Sequence, residues 1–182
     1  TLGGHAIRNA VQRAGVDPAS IDDVIMGAAL TQGSGGMNIG RLAALAGDLP
    51  VTVAGMTLDR QCSSGMYAIA NAANSIRTGD TNIMVAGGLD SISLVQTKAM
   101  NMSRAVDPQL VAKHKNIYMP MLQTAEVVAQ RYGISRDVQD EYAYQSQMRT
   151  AAGQEAGKFD DEIVPITATK AIFNKETGET SE

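Results

Sequence analysis

The sequence predicts a layered α/β fold built on a parallel sheet. Helix-period and strand-like stretches alternate from Gly4 to Gly88, as they do when helices return over strands laid side by side. "NIMVAGG", residues 82–88, is a continuous apolar run, the composition of a parallel strand covered on both faces. The overall make-up, 44% hydrophobic and 19% charged with 18 glycines in 182 residues, is ordinary for a soluble α/β protein.

Each element has a local cause. Over residues 4–14, Ile7, Ala10, Val11 and Ala14 recur at helical spacing, and Gly15 stands where a helix can stop. Asp17-Pro18 opens a short turn or helix, and "DDVIMGAAL" gives a strand over residues 24–28. The loop "TQGSGGMN" follows, and its Asn38 caps the helix "IGRLAALAG", which ends at Gly47. "VTVAGMTL", residues 51–58, alternates and is β-branched at its start, so it reads as a strand. In the helix over residues 63–78, Met66, Ala68, Ile69, Ala70, Ala72, Ala73 and Ile76 cover more than one face, which is the mark of a buried helix.

Beyond Ser91 the pattern changes. "LVQTKAMNMSRAVDPQLVAKHKNIYMPML" has little periodicity and is long for a loop, and such loops within compact domains are usually functional or misassigned elements. A helix, "LQTAEVVAQRYG", then ends at Gly133. Ser135 caps the next, "RDVQDEYAYQSQMRTAAGQEAGKF", whose Asp137 and Asp140 favour the helix dipole at its N-terminus. "DEIVPI" reads as a short closing strand. The chain opens inside a helix without methionine and closes on the polar run "NKETGETSE", so it is expected to be part of a longer polypeptide.

Composition also narrows the function. A net charge of −4 carries no nucleic-acid footprint and no membrane-surface patch, and no apolar run has the length of a spanning helix. One cysteine and two histidines provide neither an internal disulfide nor a zinc cluster. A reducing compartment, the cytoplasm, is the expected location.

That single cysteine, Cys62, lies in "TLDRQCSSGMYAIANAANSIRTGD", where a strand gives way to a helix rich in small residues. A free cysteine is ordinarily a small buried hydrophobe. At a helix N-terminus, however, unpaired backbone N–H groups and the positive end of the dipole favour a thiolate. The same groups can stabilise an oxyanion, so the position suits acyl transfer through a thioester. A base is not evident: His5 reads as an ordinary helix residue, and His114 in "AKHK" as part of a solvated basic loop.

"DRQCSSGMYAI" closely resembles the acyl-enzyme cysteine motif of the thiolases, the acetyl-CoA acetyltransferase and 3-ketoacyl-CoA thiolase family. Further similar stretches follow in the family's order: "RAGVDPASIDDVIMGAAL", "GMNIGRLAALAG", "IRTGDTNIMVAGGLDSIS", "MPMLQTAEVVAQRYGISRDVQDEYAYQSQ" and "KFDDEIVPI". The match is weakest from about Val95 to Asn116. The resemblance implies a layered α-β-α architecture. Residues 1–93 would be the first half-domain without its first strand, and residues 94–182 an incomplete helical loop domain.

It further implies Claisen-type chemistry that makes or cleaves 3-ketoacyl-CoA. Cys62 would be the nucleophile and its backbone N–H an oxyanion-hole donor, while Met121 would line the substrate pocket. Asn38 and Arg41 would act structurally, through a cap and a polar contact. Coenzyme A and acetyl-CoA would be substrates, with no permanently bound cofactor and no metal. The protein would be a homodimer or homotetramer, with residues 51–58 contributing to the contact. Pro120 and Leu122 stand where the family often has a histidine and a glycine, which leaves acyl-chain preference open. The activating histidine and a second cysteine belong to the family's other half, so this chain by itself would lack the general base. A non-catalytic acyl-CoA or lipid-binding relative and a ketoacyl synthase are the alternatives, ahead of a cysteine hydrolase using His114.

Overall fold

The computed structural model describes residues 1–178, 180 and 181. They divide into two compact units, residues 1–101 with 164–182, and residues 102–163.

In the first unit, α1 (Leu2–Ala14) leads into β1 (Asp23–Gly27), α2 (Ile39–Ala46), β2 (Ala54–Leu58), α3 (Ser64–Thr78), β3 (Met84–Gly88) and α4 (Ile92–Val95). The three strands form a parallel sheet with β1 at its centre. Asp23 lies opposite Ala54 and Met84, and Gly27 opposite Leu58 and Gly88, so all three strands end level. Parallel strands need crossovers, and α2 and α3 provide them.

Alternation along β1 sorts the two faces. Val24 and Met26 join Ile7, Val11, Ala43, Ala44, Leu49 and Val53 in one core beneath α1 and α2. On the opposite face, Gly27 meets the first turn of α3, which buries Ser64, Ala68 and Ala72. The result is helix, sheet and helix in layers, the α/β class expected.

Helix ends follow local chemistry. Gly15 takes a left-handed conformation (φ 65°) and closes α1, and Gly79 (φ 81°) closes α3 in the same way. Asn38 caps α2 by accepting from the Arg41 N–H, and Asp17 caps the single turn at Pro18–Ser20 through the Ala19 N–H.

Some expectations are corrected. The strand over residues 51–58 begins only at Ala54. Pro50 accepts a turn hydrogen bond from the Val53 N–H, and the Arg41 guanidinium holds the Val51 and Val53 carbonyls, so the β-branched start is a turn. The helix over residues 63–78 is not buried all round, since Met66, Ile69 and Ile76 are exposed on the side turned from the sheet. "DEIVPI" forms no strand; residues 163–171 have no regular structure. A strand needs a partner edge, and a short apolar stretch alone does not supply one.

The second unit contains α5 (Pro108–Lys113), α6 (Met121–Tyr132) and α7 (Arg136–Glu155). Asp107 caps α5, with Pro108 as its first residue, where a missing N–H costs nothing. Ser135 caps α7, and Asp137 sits in the first turn as the dipole favours. Within α7 only Gly153 is buried, with the Phe159 ring against it. In the first unit again, the chain ends with a small antiparallel pair, β4 (Ile172–Phe173) and β5 (Thr180–Ser181), which the polar composition of this stretch did not suggest. No helix among the described residues is long and apolar enough to cross a membrane.

Candidate active site

The sheet's C-terminal edge carries the candidate site. β2 ends at Leu58, and a tight turn over residues 59–63 delivers the chain to α3. Asp59 Oδ1 accepts from the Gln61 N–H at 2.8 Å, an Asx turn that bends the chain at once. Gln61 then adopts a left-handed backbone (φ 51°), uncommon for a residue with a side chain. Cys62 follows, exposed and with its thiol free.

Ser63 is the N-cap residue of α3, and its Oγ donates to the Arg60 carbonyl at 2.9 Å rather than accepting from the helix. Ser64, the first helical residue, is only 3% exposed. Its Oγ accepts from the Arg60 N–H at 2.8 Å and donates to the Gln61 carbonyl at 2.6 Å. The Arg60 guanidinium stacks over the Tyr67 ring, 4.4 Å from its centroid.

Glycines at the strand ends bring this turn down onto the sheet. A Cβ on Gly27 would stand 2.2 Å from the Ser64 carbonyl carbon, and one on Gly88 would stand 2.9 Å from the Gly65 Cα. Asp90, just past β3, accepts from the Ala29 N–H at 3.1 Å and the Leu30 N–H at 2.8 Å, which ties the segments leaving β1 and β3 together. Among the described residues, the N–H groups of Cys62, Gly65 and Met66 have no protein acceptor. An exposed thiol at a helix start whose backbone donors lack protein acceptors suits attack on a carbonyl carbon whose oxygen gains negative charge.

Asn38 and Arg41 brace this region from below, with the cap and the polar contact expected of them. Asn38 Nδ2 donates to the Gly55 carbonyl at 2.7 Å, and its Oδ1 accepts from the Thr57 hydroxyl at 2.9 Å. Thr57 Oγ1 in turn accepts from the Gly40 N–H at 2.9 Å, locking α2 to β2.

The chain as a whole matches the model of the thiolase N-terminal domain over residues 1–182. It belongs to the thiolase family. An acetyl-CoA acetyltransferase of Cupriavidus necator is 43% identical over 175 residues, 91% of this chain and 44% of that protein. A 3-ketoacyl-CoA thiolase of Bacillus subtilis is 41% identical over 171 residues, 92% of this chain and 42% of that protein. The crystal structure of the Bacillus anthracis acetyl-CoA acetyltransferase superposes with a TM-score of 0.74 at 36% identity, over 91% of this chain and 44% of that one. The layered fold is thus the thiolase fold, and the chain spans less than half the length of these relatives.

The other residues singled out in this thiolase chain lie elsewhere. His5 is on α1, in the layer across the sheet from α3, and its buried Nε2 has no partner among the described residues. Met121 opens α6 and is 77% exposed, next to an exposed Leu122, with Pro120 as the N-cap residue. His114 closes α5. Met121 and His114 both belong to the second unit, and Cys62 to the first. Sequence reasoning missed Ser64 and the glycine bed. The second serine of "CSSG" was the available signal, since a hydroxyl at a helix start is either a cap or a local staple.

Proposed function

We propose that this chain carries the nucleophile of a CoA-dependent acyltransferase that makes or cleaves 3-ketoacyl-CoA. The observation that carries the reading is Cys62, a free and exposed thiol set between a strained turn and the unpaired N–H groups of the first turn of α3. The relatives, an acetyl-CoA acetyltransferase and a 3-ketoacyl-CoA thiolase, supply the reaction class.

In the first half-reaction the Cys62 thiolate attacks the thioester carbonyl of an acyl-CoA. A Cys62–acyl bond forms, the carbon–sulfur bond to CoA breaks, and CoA leaves as its thiolate, taking up the proton that Cys62 gave up. The Cys62 N–H stabilises the oxyanion between the two events. In synthesis the α-carbon of acetyl-CoA gives up a proton and attacks the Cys62 thioester, so that a carbon–carbon bond forms, the bond to Cys62 breaks and 3-ketoacyl-CoA leaves. In thiolysis Cys62 instead attacks the 3-keto carbon of 3-ketoacyl-CoA, and the bond between C2 and C3 breaks. C2 takes up a proton to leave as acetyl-CoA, and free CoA then accepts the acyl group from Cys62. The proton acceptor for Cys62 is assigned to the part of a longer polypeptide that would complete the relatives' length. Met121 is assigned to the wall of the acyl pocket, where an unbranched thioether adapts to varied chains.

The active form is proposed to be a homodimer or homotetramer. The outer edge of β2 supports this, because it is an edge strand with exposed Ala54 and Met56. Chemistry through a free thiol also calls for a reducing compartment, for which the cytoplasm is proposed.

The test is incubation of the full-length polypeptide with acetyl-CoA, followed by intact-mass measurement and peptide mapping. An acetyl adduct on Cys62, absent in Cys62→Ala, together with acetoacetyl-CoA formation supports the reading. An adduct that turns over only with malonyl-CoA identifies a ketoacyl synthase. Acetyl-CoA binding without an adduct identifies a non-catalytic relative and sinks the proposal.

A further inference from the structure

We infer that Ser64 is a positioning residue that sets the direction of the Cys62 N–H, and with it the oxyanion site. The inference rests on the reading above that Cys62 is the nucleophile. Ser64 is the one polar residue among the buried residues described in full. A buried hydroxyl is costly unless it is hydrogen-bonded, and this one uses both its capacities within a single turn. It accepts from the Arg60 N–H at 2.8 Å and donates to the Gln61 carbonyl at 2.6 Å.

Those two partners matter because of which peptides they belong to. The Gln61 carbonyl is the oxygen of the peptide whose nitrogen is that of Cys62. A trans peptide is planar, so its N–H points opposite to its C=O. The Ser64 Oγ–H and the Ser64 N–H (3.0 Å) both hold the Gln61 oxygen down toward the helix. The Cys62 N–H must then face away from the helix interior, and among the described residues it has no protein acceptor. Gln61, at the head of this peptide, holds a left-handed backbone (φ 51°), and a flip of the Gln61–Cys62 peptide would turn the Cys62 N–H back toward the helix. Ser64 opposes that flip, and the close packing of its backbone on Gly27 keeps it from moving aside. Ser63 does not have this reach, because its hydroxyl bonds only the Arg60 carbonyl.

The experiment compares wild type, Ser64→Ala, Ser63→Ala and Cys62→Ala in the full-length polypeptide. It reads kcat and KM for acyl transfer, the rate of Cys62 alkylation by iodoacetamide, and the thermal midpoint. Alkylation needs the thiol but no oxyanion site, so it separates positioning from exposure. Ser64→Ala is expected to lower kcat by about ten- to a hundredfold, in line with loss of an oriented oxyanion donor. KM and the alkylation rate are expected to stay within about threefold, with Ser63→Ala near wild type throughout. A folded Ser64→Ala protein with kcat within threefold of wild type overturns the assignment, as does a loss that falls equally on alkylation. If Ser64→Ala does not accumulate as folded protein, Ser64→Thr decides: retained kcat supports the role of the hydroxyl, and a folded variant with kcat lost refutes it. Cys62→Ala that still turns over sinks the functional reading itself, a result distinct from either failure of Ser64.

Discussion

Gly27, the last residue of β1, lies directly under Ser64, the first residue of α3, so closely that any side chain at 27 would overlap the Ser64 backbone. A Cβ there would be 2.2 Å from the carbonyl carbon and 2.4 Å from the carbonyl oxygen. Neither neighbour is the end of a flexible side chain, so helix and strand must separate to accept it. Gly27→Ala is therefore expected to destabilise the fold by about 1–3 kcal/mol or more, the usual range for overpacking. The denaturant midpoint measures this. Gly15→Ala is the comparison: its site has open space and a left-handed φ of 65°, so its cost is backbone strain of about 1–2 kcal/mol. Because α3 would shift together with its first turn, Gly27→Ala is also expected to change the alkylation rate of Cys62, while Gly15→Ala leaves it unchanged.

The contrast between these two glycines shows what was legible in the sequence. Gly15, Asn38 and Ser135 act on neighbours within a few residues, so their capping roles could be read from spacing. The position of Cys62 ahead of a helix was legible for the same reason. Gly27 acts on Ser64 across 37 positions of chain, counting 64 − 27, and no local pattern records that contact. Residues 51–53 have strand composition, yet Arg41 on α2 holds their carbonyls in a turn, so tertiary contact overrides propensity. "DEIVPI" likewise carries β-branched residues but no partner edge. The left-handed Gln61 depends on the hydrogen bonds of Asp59 and Ser64, which become apparent only once the turn is folded.

Asp22 offers a test in pH. Its Oδ2 accepts from the Asn82 N–H at 2.6 Å and the Ile83 N–H at 3.1 Å, joining the start of β1 to the approach of β3. These bonds, first Asn82 and then Ile83, hold its carboxyl below the ordinary aspartate value. A depressed folded-state value means that the stabilisation is complete above the unfolded value near 4. It is lost as pH falls from there through the folded value. Asp22→Asn is expected to lower the thermal midpoint at pH 7, with the gap from wild type closing below about pH 4. A gap that stays constant from pH 7 to pH 3 would show that the charge of Asp22 contributes nothing.

Arg41 is the second brace open to substitution. Its guanidinium donates to the Val53 carbonyl and, at 2.9 Å, to the Val51 carbonyl, while Val53 itself is 1% exposed. Arg41→Met keeps much of the apolar stem but leaves both carbonyls without their charged donors. A loss of about 1.5–3 kcal/mol is expected, the range for hydrogen bonds to a charged group. Arg41→Lys is expected to fall between, since an ammonium is a point donor and cannot span two carbonyls as a planar fork does. Denaturant midpoints of the three proteins order the effect, and equal values for Met and Lys would contradict it.

Helix α7 tests how far local terms alone hold a helix. Only Gly153 of its 20 residues is buried, so tertiary packing within its unit supports it little and its ends matter more. At its start the Ser135 hydroxyl accepts from the Val138 N–H, one of the donors that has no partner inside the helix. Ser135→Ala removes that acceptor and is expected to cost about 1 kcal/mol. By the same measure, amide exchange at Val138 should quicken about fivefold, with little change at Thr150 two turns or more away. Ser135→Asp keeps an acceptor and adds a charge that the helix dipole favours, so it should protect Val138 at least as well as serine. Faster exchange in both variants would mean that the first turn depends on the serine hydroxyl in some way other than capping.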